Sequence, residues 1–351
     1  ASRKRQRPVS SAAPAGEAIA VCQRIYGGRN SRVYRLETAS GLVLAGKHYH
    51  LHQDDPRDRL GAEWRALSLL AGAPGLARFV ARPVAKNPAQ GLALYTFLPG
   101  VQASGAPATE ADMDASLDFL DALRGLADTL DSELVAQIPP ASEACFSLAA
   151  LAANLRGRLD ALLRVPQEAC LGGELSAFLS GELVPFLEAS LAQAEAILGD
   201  ARRELPQHLR TLSPSDFGLH NALREGPGLS FVDFEYFGWD DPAKSLCDFV
   251  LHPAMSLPAP LRQRFASGFL ARFAAADSGL PERVRAVYPL YGAKWCLILL
   301  NEFLRGADAR RRFAAEAACA ADALERRATQ LAKARTMLEQ ARTTHAADGL
   351  C

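Results

Sequence analysis

The chain changes character at Pro99-Gly100. Upstream, β-branched and aromatic residues gather in short runs divided by turn residues; downstream, Ala and Leu recur at helical spacing. Of the upstream runs, "AIAVCQRIY", "RVYRLET" and "LVLAGKHYH" are separated by "GGRN" and "TASG", which predicts three strands of an antiparallel meander. A helix is expected next, because "DRLGAEWRALSLLAG" puts Leu60, Trp64, Leu67 and Leu70 at helical spacing and stops at Gly72 and Pro74. "LARFVARPVA" and "GLALYTFLPG" read as two more strands. Past the break, Met113, Leu117, Leu120, Leu123, Leu126 and Leu130 form one apolar stripe, and Leu148, Leu151, Leu155, Leu159 and Leu162 a second. Strand character returns only in "LSPSDFGLHNALREGPGLSFVDFEYFG", where "EGPG" predicts a hairpin turn, and helices are expected over 258–340. The chain therefore reads as α+β: a β-rich lobe over 17–100, then an α-rich lobe over 101–345 holding one hairpin.

Lys plus Arg and Asp plus Glu balance at 39 each in 351 residues, so no global field favours nucleic acid or an anionic membrane. A charged ligand must be held by a local arrangement. The start, "ASRKRQRP", is basic through Arg3, Lys4, Arg5 and Arg7 but runs into "VSSAAPAG", and residues 1–16 read as a disordered tail. No apolar segment of signal-peptide type follows it, and no uninterrupted run of 18 apolar residues occurs, so no membrane span is expected. The seven cysteines are scattered without a C-x-x-C pair, which predicts free thiols and a cytoplasmic location.

Four pieces could carry chemistry, in an informative order. "IYGGRNSRVYRLE" is a Gly-rich turn between two strands, where Gly27 and Gly28 let the backbone approach a ligand and Asn30 and Ser31 add donors for polyphosphate oxygens. Lys47 shares a strand face with Val43, Ala45 and Tyr49, so it needs an anionic partner, which Glu63 on the next helix can supply. Asp216 stands five places before Asn221, the interval between the catalytic aspartate and the metal-binding asparagine of a kinase catalytic loop. Asp233 ends the apolar run "LSFVDFEYFG", and period two puts Glu235 on its face; two carboxylates near Asn221 make the oxygen-rich site that Mg²⁺ prefers. The letters Asp216-Phe217-Gly218 imitate the metal triplet of protein kinases. No D-x-x-x-x-N precedes them to provide a base, so they belong to the catalytic loop and the metal aspartate is Asp233.

With these pieces in order, the sequence resembles the aminoglycoside phosphotransferase and choline kinase family, protein-kinase relatives that phosphorylate small molecules. The resemblance is carried by "GGRNSRVYRLE", "LVLAGK", "EWRALSLL", "LYTFLPG", "SDFGLHN" and "FVDFEYFGWDDPAKSLCDF", over roughly residues 22–250. It implies a two-lobed protein-kinase-like fold that binds ATP between the lobes. Lys47, oriented by Glu63, would hold the α/β phosphates; the hinge with Thr96 and Leu98 would take adenine; Asn221 and Asp233 would bind Mg²⁺, and Asp216 would accept the proton of a hydroxyl acceptor. Two positions depart from the family pattern: Pro214 stands where a loop histidine is usual, and Thr96 where the hinge is usually acidic. They motivate the rival expectation of a catalytically inactive protein that binds a nucleotide or a partner. A protein kinase is disfavoured, since "DDPAKSL" follows Asp233 within ten residues and leaves no room for an activation segment.

Other residues admit functional readings. His48, His50 and His52 share a strand face with the spacing of a metal site, although solvated histidines are the commoner case. Tyr236, Phe237, Trp239 and Trp295 could form a box for a quaternary ammonium, though such aromatics more often pack the core. Asp240, Asp241 and Glu302 would suit a cationic amino sugar or polyol hydroxyls, and His220 and His252 flank the motifs as hydrogen-bonding residues. The helix in "DALERRATQLAKARTMLEQA" is expected to pack on its own lobe.

Overall fold

A computed structural model describes residues 17–25, 31–51, 57–304 and 320–347. Gly27, Gly28 and Asn30, the 1–16 tail and His52 lie outside the described residues. The three meander strands form where their alternation places them: β1 (Ile19–Ile25), β2 (Ser31–Thr38) and β3 (Val43–Tyr49) pair antiparallel in sequence order, with Val33 opposite Lys47. Helix α1 (Arg59–Gly72) starts at Asp58, whose carboxylate accepts the Gly61 N–H at 2.8 Å. Strands β4 (Pro83–Asn87) and β5 (Leu92–Thr96) complete a sheet of order β1-β2-β3-β5-β4. The strand expected over 76–85 begins only at Pro83. Leu76 and Phe79 are buried but lie in turns and Val80 forms only an isolated bridge, because Phe79 packs against Phe119 and Phe231 of the second lobe and Val80 bridges Phe231.

The crossing between lobes is β6 (Val101–Gln102). Helix α2 (Glu110–Ala127) opens with a capping box between Thr109 and Asp112, and α3 (Ser132–Gln137) and α4 (Leu148–Leu163) follow. Helices α5 (Gly172–Phe178) and α6 (Val184–Leu198) run on through residues 179–183. The joined segment Gly172–Leu198 is long enough and, at a mean hydropathy of 1.3, apolar enough to cross a membrane. Its Phe178, Leu179, Leu183 and Leu187 are instead fully buried in the protein core while Glu174, Glu188 and Glu195 face outward, the pattern of a helix packed on one side.

Four short strands carry the loop residues: β7 (Thr211–Ser213), β8 (Ala222–Glu225), β9 (Gly228–Phe231) and β10 (Gly238–Asp240). β8 and β9 form the hairpin expected at "EGPG", β6 pairs with the free edge of β8, and β10 pairs with β7. At the crossing, Gly100 has φ +115°, and a side chain there would meet the Arg224 carbonyl at 2.6 Å, so the close approach of linker and hairpin depends on glycine. Arg224 in turn forks onto the buried Asp112 at 2.7 and 3.0 Å, tying the hairpin to α2.

Helices α7 (Pro242–Leu251), α8 (Ala259–Phe273), α9 (Leu280–Leu299) and α10 (Ala320–Ala347) finish the large lobe. The expected packing of the C-terminal helix on its own lobe is observed: Leu331, Ala334, Met337, Leu338 and Ala341 are buried, with Ala341 against Gly292 of α9. Phe119 of α2 centres an aromatic cluster with Phe217, Phe231 and Phe234 at 5.6, 4.5 and 6.2 Å between rings. Phe217 and Phe234 directly follow Asp216 and Asp233, so each aspartate is anchored by its neighbour in one shared core.

Candidate active site

Lys47 lies on the β3 face covered by α1, and its Nζ donates to Glu63 Oε2 and to Asp233 Oδ1, both at 2.6 Å. Burial alone would lower its pKa, but Asp233 and Glu63 outweigh burial and hold the ammonium charged well above its usual range. On Glu63 burial works in the opposite sense and raises the carboxyl. Hydrogen bonds from Lys47, from the Tyr49 hydroxyl at 2.6 Å and from the Phe234 N–H at 3.3 Å favour its carboxylate, and we read the pair as ionised.

Asp216 sits in a loop built from unusual backbone. Ser215 has φ +67°; its N–H donates to Ser213 Oγ, and its hydroxyl donates to the Ser142 carbonyl at 2.6 Å. Behind it Lys244, 2% exposed, donates to Ser215 Oγ at 3.2 Å and to Asp240 at 2.6 Å, and pairs with Asp248 at 3.2 Å. These contacts brace the loop just after Pro214, the position where the family resemblance leads one to expect a histidine. Asp216 Oδ1 meets two imidazoles, Nε2 of His220 at 3.0 Å and Nε2 of His252 at 3.3 Å. Burial would raise this carboxyl, yet the two histidine hydrogen bonds outweigh it and hold Asp216 well below the ordinary range while its side chain remains 37% exposed.

A short bonded path links this loop to Asp233. Asn221 donates from Nδ2 to the Asp216 carbonyl at 2.9 Å, and its own carbonyl accepts the Val232 N–H at 2.9 Å, one residue before Asp233. Contrary to the expectation, Asp233 and Glu235 do not share a strand face, because β9 ends at Phe231 and Asp233 has φ +70°, where period two no longer applies. The carboxylate oxygens of Glu63, Asp233 and Glu235 nonetheless lie within 4.8 Å of one another, an all-oxygen set of the kind Mg²⁺ takes. Within it Asp233 is 30% exposed, whereas Glu235, expected as a second metal carboxylate, is buried on Arg59 at 2.7 Å.

Of the remaining expected residues, Ser31 is buried opposite Tyr49, and Thr96 accepts the Arg82 N–H at its hydroxyl while Leu98 packs on the core. The four aromatics do not gather into a box: Tyr236 meets Arg59, Phe237 packs on Phe234, Trp239 donates to the Val135 carbonyl and Trp295 lies edge-on to His252. Asp240, Asp241 and Glu302 are taken up by Lys244, Arg283 and Arg326 and so serve the fold rather than a cationic acceptor. The residues missed from sequence are Lys244 and Ser215; Lys244 and Asp248, four apart on α7, with Asp240 four places before the lysine at the end of β10, were the signal available for it.

The structure superposes on solved phosphotransferases over most of its length. A choline/ethanolamine kinase family protein from Mesorhizobium loti aligns with a TM-score of 0.58 and 17% identity, covering 97% of this chain and 96% of that one. A spectinomycin phosphotransferase in complex with ADP and spectinomycin gives 0.57 and 11%, with 90% and 94% covered. A macrolide 2'-phosphotransferase from Brachybacterium faecium gives 0.55 and 18%, with 87% and 96% covered. At such identities the likeness establishes the fold, which is α+β, two-lobed and protein-kinase-like. Among curated protein sequences none matches the chain. Residues 21–287, from β1 into α9, match the phosphotransferase enzyme family, and the chain belongs to that family.

Proposed function

We propose that the protein is an ATP-dependent small-molecule kinase that transfers the γ-phosphoryl group to a hydroxyl of a sugar, amino sugar or amino alcohol. The observation that carries this reading is the convergence of Lys47, Glu63 and Asp233, a buried lysine fixed between a helix glutamate and a loop aspartate. Lys47 would bind the α/β phosphates, with Gly27, Gly28 and Asn30 between β1 and β2 and Ser31 at the start of β2 around them, and the backbone near Thr96 and Leu98 against adenine. The ADP-bound spectinomycin enzyme supports a nucleotide of this class.

Asn221, through its Oδ1, and Asp233 would hold Mg²⁺; when bound, the ion neutralises charge on the phosphates. In the transfer, the bond from the γ-phosphorus to the ADP oxygen breaks, a bond to the acceptor oxygen forms, and the acceptor's proton passes to Asp216. A carboxylate held below its ordinary range is a weak base, which suits a loose transition state whose hydroxyl needs aligning more than early deprotonation. A small acceptor is supported by the short stretch from Asp233 to α7, and by structural neighbours named for choline or ethanolamine, spectinomycin and macrolides. A cytoplasmic setting, where ATP is at hand, accords with the free thiols of Cys22, Cys145, Cys170 and Cys296.

The test is ADP release from ATP·Mg²⁺ in the presence of pooled hydroxylated metabolites, with thermal unfolding measured alongside. Acceptor-dependent release is expected, together with a stabilisation of about 2.7 kcal/mol when ATP stands at 100 times its Kd. Stabilisation without release from any pool would favour an inactive nucleotide-binding protein, and neither response would exclude the kinase.

A further inference from the structure

We propose that His252 and His220 are positioning residues that lock the carboxylate of Asp216 by donating two Nε2–H groups to its Oδ1, leaving Oδ2 for the acceptor hydroxyl. This rests on the reading of Asp216 as the proton acceptor. The two imidazoles arrive from different places, His220 from the catalytic loop and His252 from the residue after α7. They stack with ring centres 3.8 Å apart and planes 9° from parallel, and Trp295 closes the far side of His252 edge-on at 4.4 Å.

Their protonation follows from their neighbours. The Ala254 N–H donates to His252 Nδ1 at 3.2 Å; a ring nitrogen that accepts carries no proton, so the proton of the neutral ring is on Nε2, facing Asp216. His220 Nδ1 is buried without a hydrogen-bond partner, and a proton there would be a stranded donor, so His220 is also assigned as the Nε2–H form. Two neutral rings can stack this closely, whereas two imidazolium ions would repel. Gly218 makes room: a side chain there would lie 2.8 Å from His220 Nδ1 and 2.6 Å from Met255 Sδ. The glycine of Asp216-Phe217-Gly218 thus lets His220 fold back on its own aspartate.

The same atoms lie within 4.8 Å of one another and could be read as a two-histidine, one-carboxylate site for Zn²⁺. An ion there would need both Nε2 atoms as lone-pair donors, and neither ring would then keep a proton for Asp216 Oδ1. A metal on His252 Nε2 would also move the proton to Nδ1, where the Ala254 N–H already points.

The test compares His252→Phe, which keeps the stacking but lacks the donor, with His252→Gln, which keeps an N–H at similar reach. Read as ADP release from ATP·Mg²⁺ with water as acceptor, His252→Phe is expected to lower kcat roughly 10- to 100-fold, the loss of one hydrogen bond to a charged group, with the KM for ATP unchanged. His252→Gln should recover most of that loss. In ¹⁵N-resolved NMR, His252 of the wild-type protein should show the Nε2–H tautomer with a slowly exchanging proton, and the slow exchange should disappear in Asp216→Ala. Equal kcat for the Phe and Gln variants, an Nδ1–H tautomer, or stoichiometric Zn²⁺ binding lost in His252→Phe would each overturn the lock. If wild-type protein releases no ADP with water or with any acceptor pool, the kinase reading fails, while the NMR measurement still decides the hydrogen bonds.

Discussion

Lys47 and Asp233, 186 residues apart in sequence, are joined by a hydrogen bond of 2.6 Å, and Glu63 holds the same ammonium from α1 at the same distance. Removing the cation leaves a buried carboxylate uncompensated. Lys47→Met is expected to cost about 3–5 kcal/mol of unfolding free energy, and Lys47→Met/Glu63→Gln to cost less than the single change. Urea titration of the three proteins checks this; a double variant no more stable than Lys47→Met would mean that Glu63 is not held as an anion.

Asp216→Asn preserves the size of the side chain and removes its ability to take a proton. ATP·Mg²⁺ binding is expected to persist while turnover falls by about 10²–10⁴. Isothermal titration with ATP·Mg²⁺ and steady-state kinetics with the best acceptor separate the two effects, and unchanged turnover would remove the role given to Asp216.

Lys244 compensates two carboxylates at once, Asp240 and Asp248, beneath the loop that carries Asp216. Lys244→Met is therefore expected to destabilise the fold by about 3–5 kcal/mol, measured as a shift of the urea midpoint at constant m-value. A loss below about 1 kcal/mol, the worth of an exposed pair, would contradict the buried network.

Glu143 gives a pH dependence whose sign can be stated. Burial would raise its carboxyl, but Arg158, bonded at 2.7 Å and adding its charge, outweighs burial and brings it from 4.5 down to about 2. A folded-state pKa below the unfolded one contributes stability above about pH 4.5 that is lost as pH falls toward about 2. Arg158→Gln should flatten that part of the stability curve while leaving its shape above pH 6 unchanged. Denaturant midpoints between pH 2 and 7 for both proteins provide the check, and identical acid limbs would refute it.

How much of this was legible in the sequence depends on whether the interaction was local or periodic. Strand alternation put Lys47 on the buried face, helical spacing put Glu63 on the next helix, and the five-residue interval fixed Asp216 relative to Asn221. The errors came where a regular period ended. Asp233 lies past the end of β9 in left-handed backbone, so two-residue counting could not say where Glu235 points. Residues 76–81 look like strand because they are apolar, but burial against Phe119 and Phe231 consumed that apolarity without a ladder. His252 meets Asp216 through tertiary packing alone, and no spacing in the chain announces it.

The β8–β9 hairpin carries Asn221 just before its first strand and Asp233 just after its second, and both of its outer edges are gripped by chain that borders the small lobe. β6 pairs along β8, while Val80 bridges Phe231 on β9. Tilting of one lobe on the other therefore cannot bypass this ribbon. The ladder between its two strands and the bond from the Val232 N–H to the Asn221 carbonyl make Asn221 and Asp233 one rigid unit, carried together by whatever grips the ribbon.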